Sequence, residues 1–196
     1  MVEILVTLVV ITVLLVATGS ALGIFTGGVM QSDLQKATVE LLDQFEFSRN
    51  RASMRNRAVQ VDFNLASTPQ TLTISDHPAS HCTTGAATVV RTVRFTSSVA
   101  GPEGWPAGVI GGPKFPDVAM VGIVPSDLQG LCFRPDGRVT RSDGRMIVQT
   151  DPSSPLASGE GAIVMQERHM QGSANAITHE VIVPYNGLAT VQHLIP

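Results

Sequence analysis

His77, His81 and Cys82 lie close enough in sequence to suggest a metal. A structural zinc needs four tetrahedral Cys, His or carboxylate ligands, and nothing near this loop run supplies the fourth. No metal or other cofactor is expected. Catalytic chemistry lacks its residues too. There is no G-x-S-x-G elbow, no phosphate-binding P-loop and no H-E-x-x-H pair, so no activated serine, cradled phosphate or metal-bound water can be assembled by those routes. Asp136 and Asp143 each precede a glycine, which places them in turns rather than in acid–base roles. The expectation is a protein that is not an enzyme and takes no small-molecule substrate.

Cys82 and Cys132 stand about fifty positions apart, outside metal-ligand and C-x-x-C redox spacings. Two buried thiols and a disulfide both fit. The disulfide is favoured if the domain meets an oxidising compartment, where closing such a loop contributes about 4 kcal/mol. Arg134, Arg138, Arg141 and Arg145 crowd one hairpin region, a pattern that could neutralise phosphates in a salt-dependent nucleic-acid contact. Against that, 16 acidic residues outnumber 13 lysines and arginines, aromatics make up 5% of the chain, and the tail from Val191 to Pro196 carries no Lys or Arg. Nucleic acid is not the expected partner.

Glu3 is the remaining chemical oddity. From Ile4 to Ser32 there is no charged side chain, and Ile4 to Ala17 is almost wholly Ile, Leu, Val and Ala. About 20 such residues cross a bilayer as a helix. A signal peptide would need a basic segment ahead of the apolar run, and no Lys or Arg precedes this one. A carboxylate deep in hydrocarbon costs at least ~2.5 kcal/mol, so it normally has a partner or a task; at the headgroup level Glu3 would cost little.

The elements that must carry these residues are legible from periodicity. Beyond Ser32 the residues Leu34, Ala37, Thr38, Leu41, Leu42, Phe45, Ser48 and Ala52 recur at spacings of three and four, the stripe of an amphipathic helix. Asp33, Glu40, Asp43 and Glu46 come early in it and Arg49, Arg51, Arg55 and Arg57 late, as the helix dipole favours. Then Val59, Val61, Phe63 and Leu65 alternate with polar residues, a half-buried strand. Further strands are expected at Thr71–Ser75, Thr88–Phe95, Val118–Val124, Leu131–Phe133, Arg138–Thr140, Arg145–Thr150, Ala162–Arg168, Ile177–Val183 and Leu188–His193. Asp136-Gly137, Asp143-Gly144 and Asn186-Gly187 suit tight hairpins. The fold class is therefore α+β: a long N-terminal helix on an antiparallel sheet domain. Its expected divisions are 1–32, transmembrane; 33–57, amphipathic helix; and 58–196, β-rich domain. The Gly- and Pro-rich stretch 97–117 contains the single tryptophan, Trp105; long irregular loops tend to be functional, which makes Trp105 a candidate partner contact. Residues 151–161 read as a plain connector.

The stretch Met1-Val2-Glu3-Ile4-Leu5-Val6-Thr7-Leu8-Val9-Val10-Ile11 resembles the N-terminus of mature type IV pilins and pseudopilins, whose pattern is Phe-Thr-Leu-Ile-Glu-Leu-Leu-Val-Val before a long apolar helix. The resemblance implies that Glu3 is the assembly glutamate, pairing with the N-terminal amine of a neighbouring subunit. Such a pair specifies register more than it adds stability. The family's basic leader, cleavage-site glycine and Phe-Thr start are not among these residues, so the start is expected to be truncated, misplaced or atypical. The helix-kinking proline of many members has no counterpart in the first 68 residues; Gly19, Gly23, Gly27 and Gly28 are the candidate weak points.

Phe45 to Ala52 with Arg55 to Val61, Leu131 to Arg138, and His179 to Gly187 are similar to the helix end, the "ITFRPDGR" hairpin and the closing strand of H-type minor pseudopilins and related minor pilins. This implies a tip-proximal minor subunit of a pilus or a type II secretion pseudopilus. Its partners would be other pilin or pseudopilin subunits and inner-membrane lipid. It would sit in the bacterial inner membrane with a single pass and a periplasmic or extracellular domain. A DNA-binding minor pilin and a membrane-anchored periplasmic enzyme are the alternatives.

Overall fold

The computed structural model describes residues 33–67, 69–96, 114–115, 117–148, 159–167 and 176–194. Glu3 with the apolar segment 1–32, Trp105 and the connector 151–158 lie outside the described residues.

Helix α1 spans 33–55. Leu34, Ala37, Leu41, Phe45 and Ala52 on its stripe are fully buried. Thr38 and Ser48 share that face, and each hydroxyl donates to the carbonyl four residues back, Leu34 at 2.8 Å and Gln44 at 2.7 Å. That satisfaction is what lets two polar groups enter an apolar interface. The helix ends at Asn56, whose φ of 52° is left-handed and turns the Arg57 N–H back to the Ala52 carbonyl at 3.2 Å.

Nine strands follow among the described residues: β1 (Val59–Asn64), β2 (Gln70–Asp76), β3 (Thr88–Thr96), β4 (Val118–Val124), β5 (Gly130–Phe133), β6 (Val139–Arg141), β7 (Gly161–Glu167), β8 (Thr178–Val183) and β9 (Thr190–Leu194). They form two antiparallel sheets, A in the order β3-β2-β1-β5-β6 and B in the order β4-β7-β8-β9. The helix covers both. Phe45 meets Phe63 of β1 edge to face at 6.1 Å and Phe133 of β5 at 5.9 Å. The same core takes Val59, Val61, Leu72 and Leu131 from sheet A and Ile163, Met165, Val181 and Val183 from sheet B. Burying each large side chain here contributes about 1.5–3 kcal/mol.

Two hydrogen-bonded clasps join the sheets. The buried amide of Gln70, at the start of β2, bonds both backbone groups of Met120 in β4 at 2.9 Å. On the other side the Val139 N–H of β6 donates to the Tyr185 carbonyl after β8 at 2.8 Å. Gly137 and Gly187 supply the positive φ angles, 83° and 73°, of the β5–β6 and β8–β9 turns. The turns touch: a Cβ on Gly187 would lie 3.0 Å from the Gly137 carbonyl and 3.3 Å from Arg49 Cδ.

One expected strand differs. Residues 145–148 join no ladder, and 149–150 lie outside the described residues. The Arg141 N–H donates to the Arg145 carbonyl at 2.9 Å, closing the turn at Asp143-Gly144, but the next inward carbonyl, of Ile147, accepts from Gly159 at 2.7 Å. Met146 and Val148 are 56% and 52% exposed around an Ile147 that is 1% exposed. The alternation records one side chain anchored in the core, not a paired strand.

Candidate functional site

Most of the described positions singled out for chemistry are used structurally, whereas His81 is exposed with its Nδ1 3.4 Å from Ser80 Oγ. Cys82 and Cys132 form a disulfide with Cα atoms 6.0 Å apart. It ties the β2–β3 loop across β1 onto β5, over a small buried cluster with Ala58. Cys82 is thereby lost as a metal ligand. His77 instead contacts Gln60 Oε1 through Nε2 at 2.7 Å, and Gln60 donates on to Asp62 at 2.7 Å. Among the described residues no group of three or more His, Cys, Asp or Glu side chains could hold a metal.

The hairpin arginines are largely neutralised. Arg141 pairs with Asp127 at 2.8 Å and Asp143 at 3.7 Å, Arg134 with Asp136 at 3.4 Å, Arg138 with Asp136 at 3.8 Å, and Arg145 with Asp143 at 3.9 Å. Three aspartates thus stand among the four arginines of this hairpin region. Asp136 and Asp143 also accept from the backbone N–H two residues on, at 3.2 and 3.0 Å, as turn residues do.

Several pairings carry no sequence signal, because they join residues far apart in the chain. Arg51 grips Asp76 through two bonds of 2.6 and 2.7 Å, and Arg55 adds a third at 3.1 Å. The hydrogen bond from Arg51 holds the Asp76 carboxyl below its ordinary value, outweighing burial, with Arg55 and Arg57 assisting. Burial pushes Asp62 and Glu180 the other way. The buried ring of His179 in β8 meets Thr38 at 2.8 Å through Nδ1. A dipole argument accounts for basic residues late in α1; it could not name Asp76 as their partner.

The exposed surface around α1 offers recesses on both flanks. On one flank Val39, Leu42, Asp43, Glu46 and Arg49 face Leu188 and Ala189 across about 350 Å³. On the other, Glu40 and Gln44 face Arg91, Arg94 and Lys114 across about 580 Å³. Burial works upward on the Glu40 carboxyl, but Lys114, Gln44 and Arg91 together bring it below its ordinary value. Both of these recesses are open to the surface. Among the described residues no helix is long and apolar enough to cross a membrane.

What the geometry defines is an α+β domain in which one helix closes over two antiparallel sheets. No family model matches the chain, and no curated protein matches it. Among solved structures, the type IV minor pilin FimU of Pseudomonas aeruginosa (strain PAO1) is similar over 84% of this chain and 90% of the other, with a TM-score of 0.46 and 14% sequence identity.

Proposed function

We propose that this chain is a structural minor subunit of a type IV pilin-like filament, a pilus or a type II secretion pseudopilus, placed near its tip. The carrying observation is an order of elements: Glu3, an uncharged apolar run to Ser32, then an amphipathic helix at 33–55 whose stripe closes over antiparallel sheets. In this reading residues 1–32 hold the subunit in the bacterial inner membrane and later line the filament core, residues 33–57 form the amphipathic half of the same element, and 58–196 form the domain outside the cytoplasm. The disulfide fits an oxidising compartment. Partners are neighbouring subunits and, before assembly, membrane lipid.

Glu3 is the assembly residue in this reading. A neighbour's amine satisfies its charge in one register only, because a slipped neighbour leaves both charges unpaired in apolar surroundings. The test is Glu3→Ala in the native host, with membrane insertion and sheared filaments assayed together. Insertion intact and filament incorporation lost is the expected result. A variant incorporated as well as the parent removes the assembly role and favours a tethered domain with another task.

A further inference from the structure

Strand β3 forms one outer edge of sheet A. Its first six residues, Thr88 to Val93, are exposed or half-exposed, and Val89 is 60% exposed. Among the described residues only its far end is covered on the outer side: Lys114 and Phe115 donate to the Arg94 and Phe95 carbonyls at 2.9 and 3.0 Å, and Phe115 bridges Thr96 in parallel. At that end the edge already accepts two backbone N–H groups from another stretch of the chain. Unpaired edge groups are a template for a further strand.

Charge decides which strand. Beside the edge stand Arg91, Arg94 and Lys114 against Glu40 alone, on a chain whose net charge is -3. Lys114 pairs with Glu40 at 2.6 Å, and Arg91 donates to Gln44 at 3.1 Å while lying 4.7 Å over the Phe47 ring. Arg94 is exposed and makes no ion pair among the described residues. A second copy of β3 would bring two further arginines and no carboxylate to this edge, so like charge would meet like. A strand bearing carboxylates meets the opposite field.

We propose that the outer edge of β3, flanked by Arg91, Arg94 and Lys114, is a docking site for an extended acidic segment of a partner protein, which adds to sheet A as a further strand. Backbone hydrogen bonds supply the attachment, Val89 and Val93 the apolar contact, and the three cations, with Arg91 and Arg94 on opposite faces of the strand by register, the selectivity. Nothing in this depends on Glu3 or on residues 1–32, so the filament reading and the docking site stand or fall separately.

The test uses the full-length chain in non-ionic detergent and three fluorescein-labelled peptides: alternating Val and Glu, the same peptide N-methylated at alternate residues, and alternating Val and Lys. Fluorescence anisotropy should show binding of the first at low salt, weakened by roughly tenfold or more for each of the other two and reduced by added salt. Arg94→Glu, an exposed substitution that leaves the Lys114–Glu40 pair in place, should weaken acidic-peptide binding by a similar factor with an unchanged circular dichroism spectrum. Equal binding of the N-methylated peptide would overturn strand addition, leaving only charge attraction. No binding of the acidic peptide, or an Arg94→Glu chain that binds it normally and merely self-associates, would overturn the docking site and leave Arg94 as a guard against edge pairing.

Discussion

Gln70 engages Met120 as one peptide group engages another: its Oε1 accepts from the Met120 N–H and its Nε2 donates to the Met120 carbonyl, both at 2.9 Å. Thr96 also donates its hydroxyl to Gln70 Oε1. Strand β4 is an edge of sheet B, and its register shifts just past Met120. The glutamine thus takes the place of a neighbouring strand and fastens sheet A to that edge. Gln70→Leu keeps comparable bulk but orphans two buried backbone groups and a hydroxyl. Leaving such groups unsatisfied costs about 1–3 kcal/mol each when no water enters. Urea unfolding of the full chain should report a loss of at least about 2 kcal/mol; a change below roughly 0.5 kcal/mol would mean the clasp is not structural.

The elements were legible where one periodicity governed a whole segment. Every residue of the expected helical stripe is buried or half-buried, because a 3.6-residue repeat leaves a helix only one face to hide. Strand alternation likewise placed β1, β2, β4 and β7 to β9 to within a residue or two. It misled at 145–148, where alternation around Ile147 marks a single anchor whose carbonyl turns to Gly159. Gln70, Asp76 and His179 were illegible for a different reason: their partners lie 50, 25 and 141 positions away. A polar residue shows nothing locally of a partner that only the folded chain supplies.

Asp76 and Asp62 predict opposite responses to pH. Asp76 titrates below its ordinary value of 3.8, chiefly through the Arg51 hydrogen bond. Its contribution is complete above 3.8 and is lost as pH falls through the lower folded value. Asp76→Asn should therefore cost about 2 kcal/mol at pH 7 and progressively less in strong acid. Asp62 titrates above 3.8, chiefly through burial, so the folded state holds its proton longer and stability falls as pH rises across that window. Asp62→Asn keeps an acceptor for Gln60 and removes the buried charge. It should leave stability unchanged or raised at neutral pH; a clear loss there would contradict the sign assigned to burial.

The disulfide spans a separation of 50 residues and encloses β3, β4 and part of β5. Closing a loop of that length restricts the unfolded chain by about 4 kcal/mol in the entropy model. Cys82→Ala with Cys132→Ala should lower stability by about 2–4 kcal/mol while leaving the helix and both sheets assembled, since the core cluster around Phe45 does not include either cysteine. The β2–β3 loop should then become the first site of limited proteolysis. Unaltered stability together with unaltered protease resistance would show that the bond restrains neither the unfolded chain nor the loop.

The hydroxyl of Thr38 has one proton, and the Leu34 carbonyl at 2.8 Å is placed to receive it. The 2.8 Å contact with His179 must then run the other way, with Nδ1–H as donor and the hydroxyl oxygen as acceptor. Helix α1 thus selects one tautomer of a ring that sheet B buries against it. Thr38→Val preserves shape but removes the hydroxyl that accepts from Nδ1–H, and should cost about 1 kcal/mol; Thr38→Ser should recover most of it. Nitrogen NMR of the parent protein should find Nδ1 protonated. A deprotonated Nδ1 would instead make Thr38 the donor to the ring, and would return the Leu34 carbonyl to its ordinary helical bond alone.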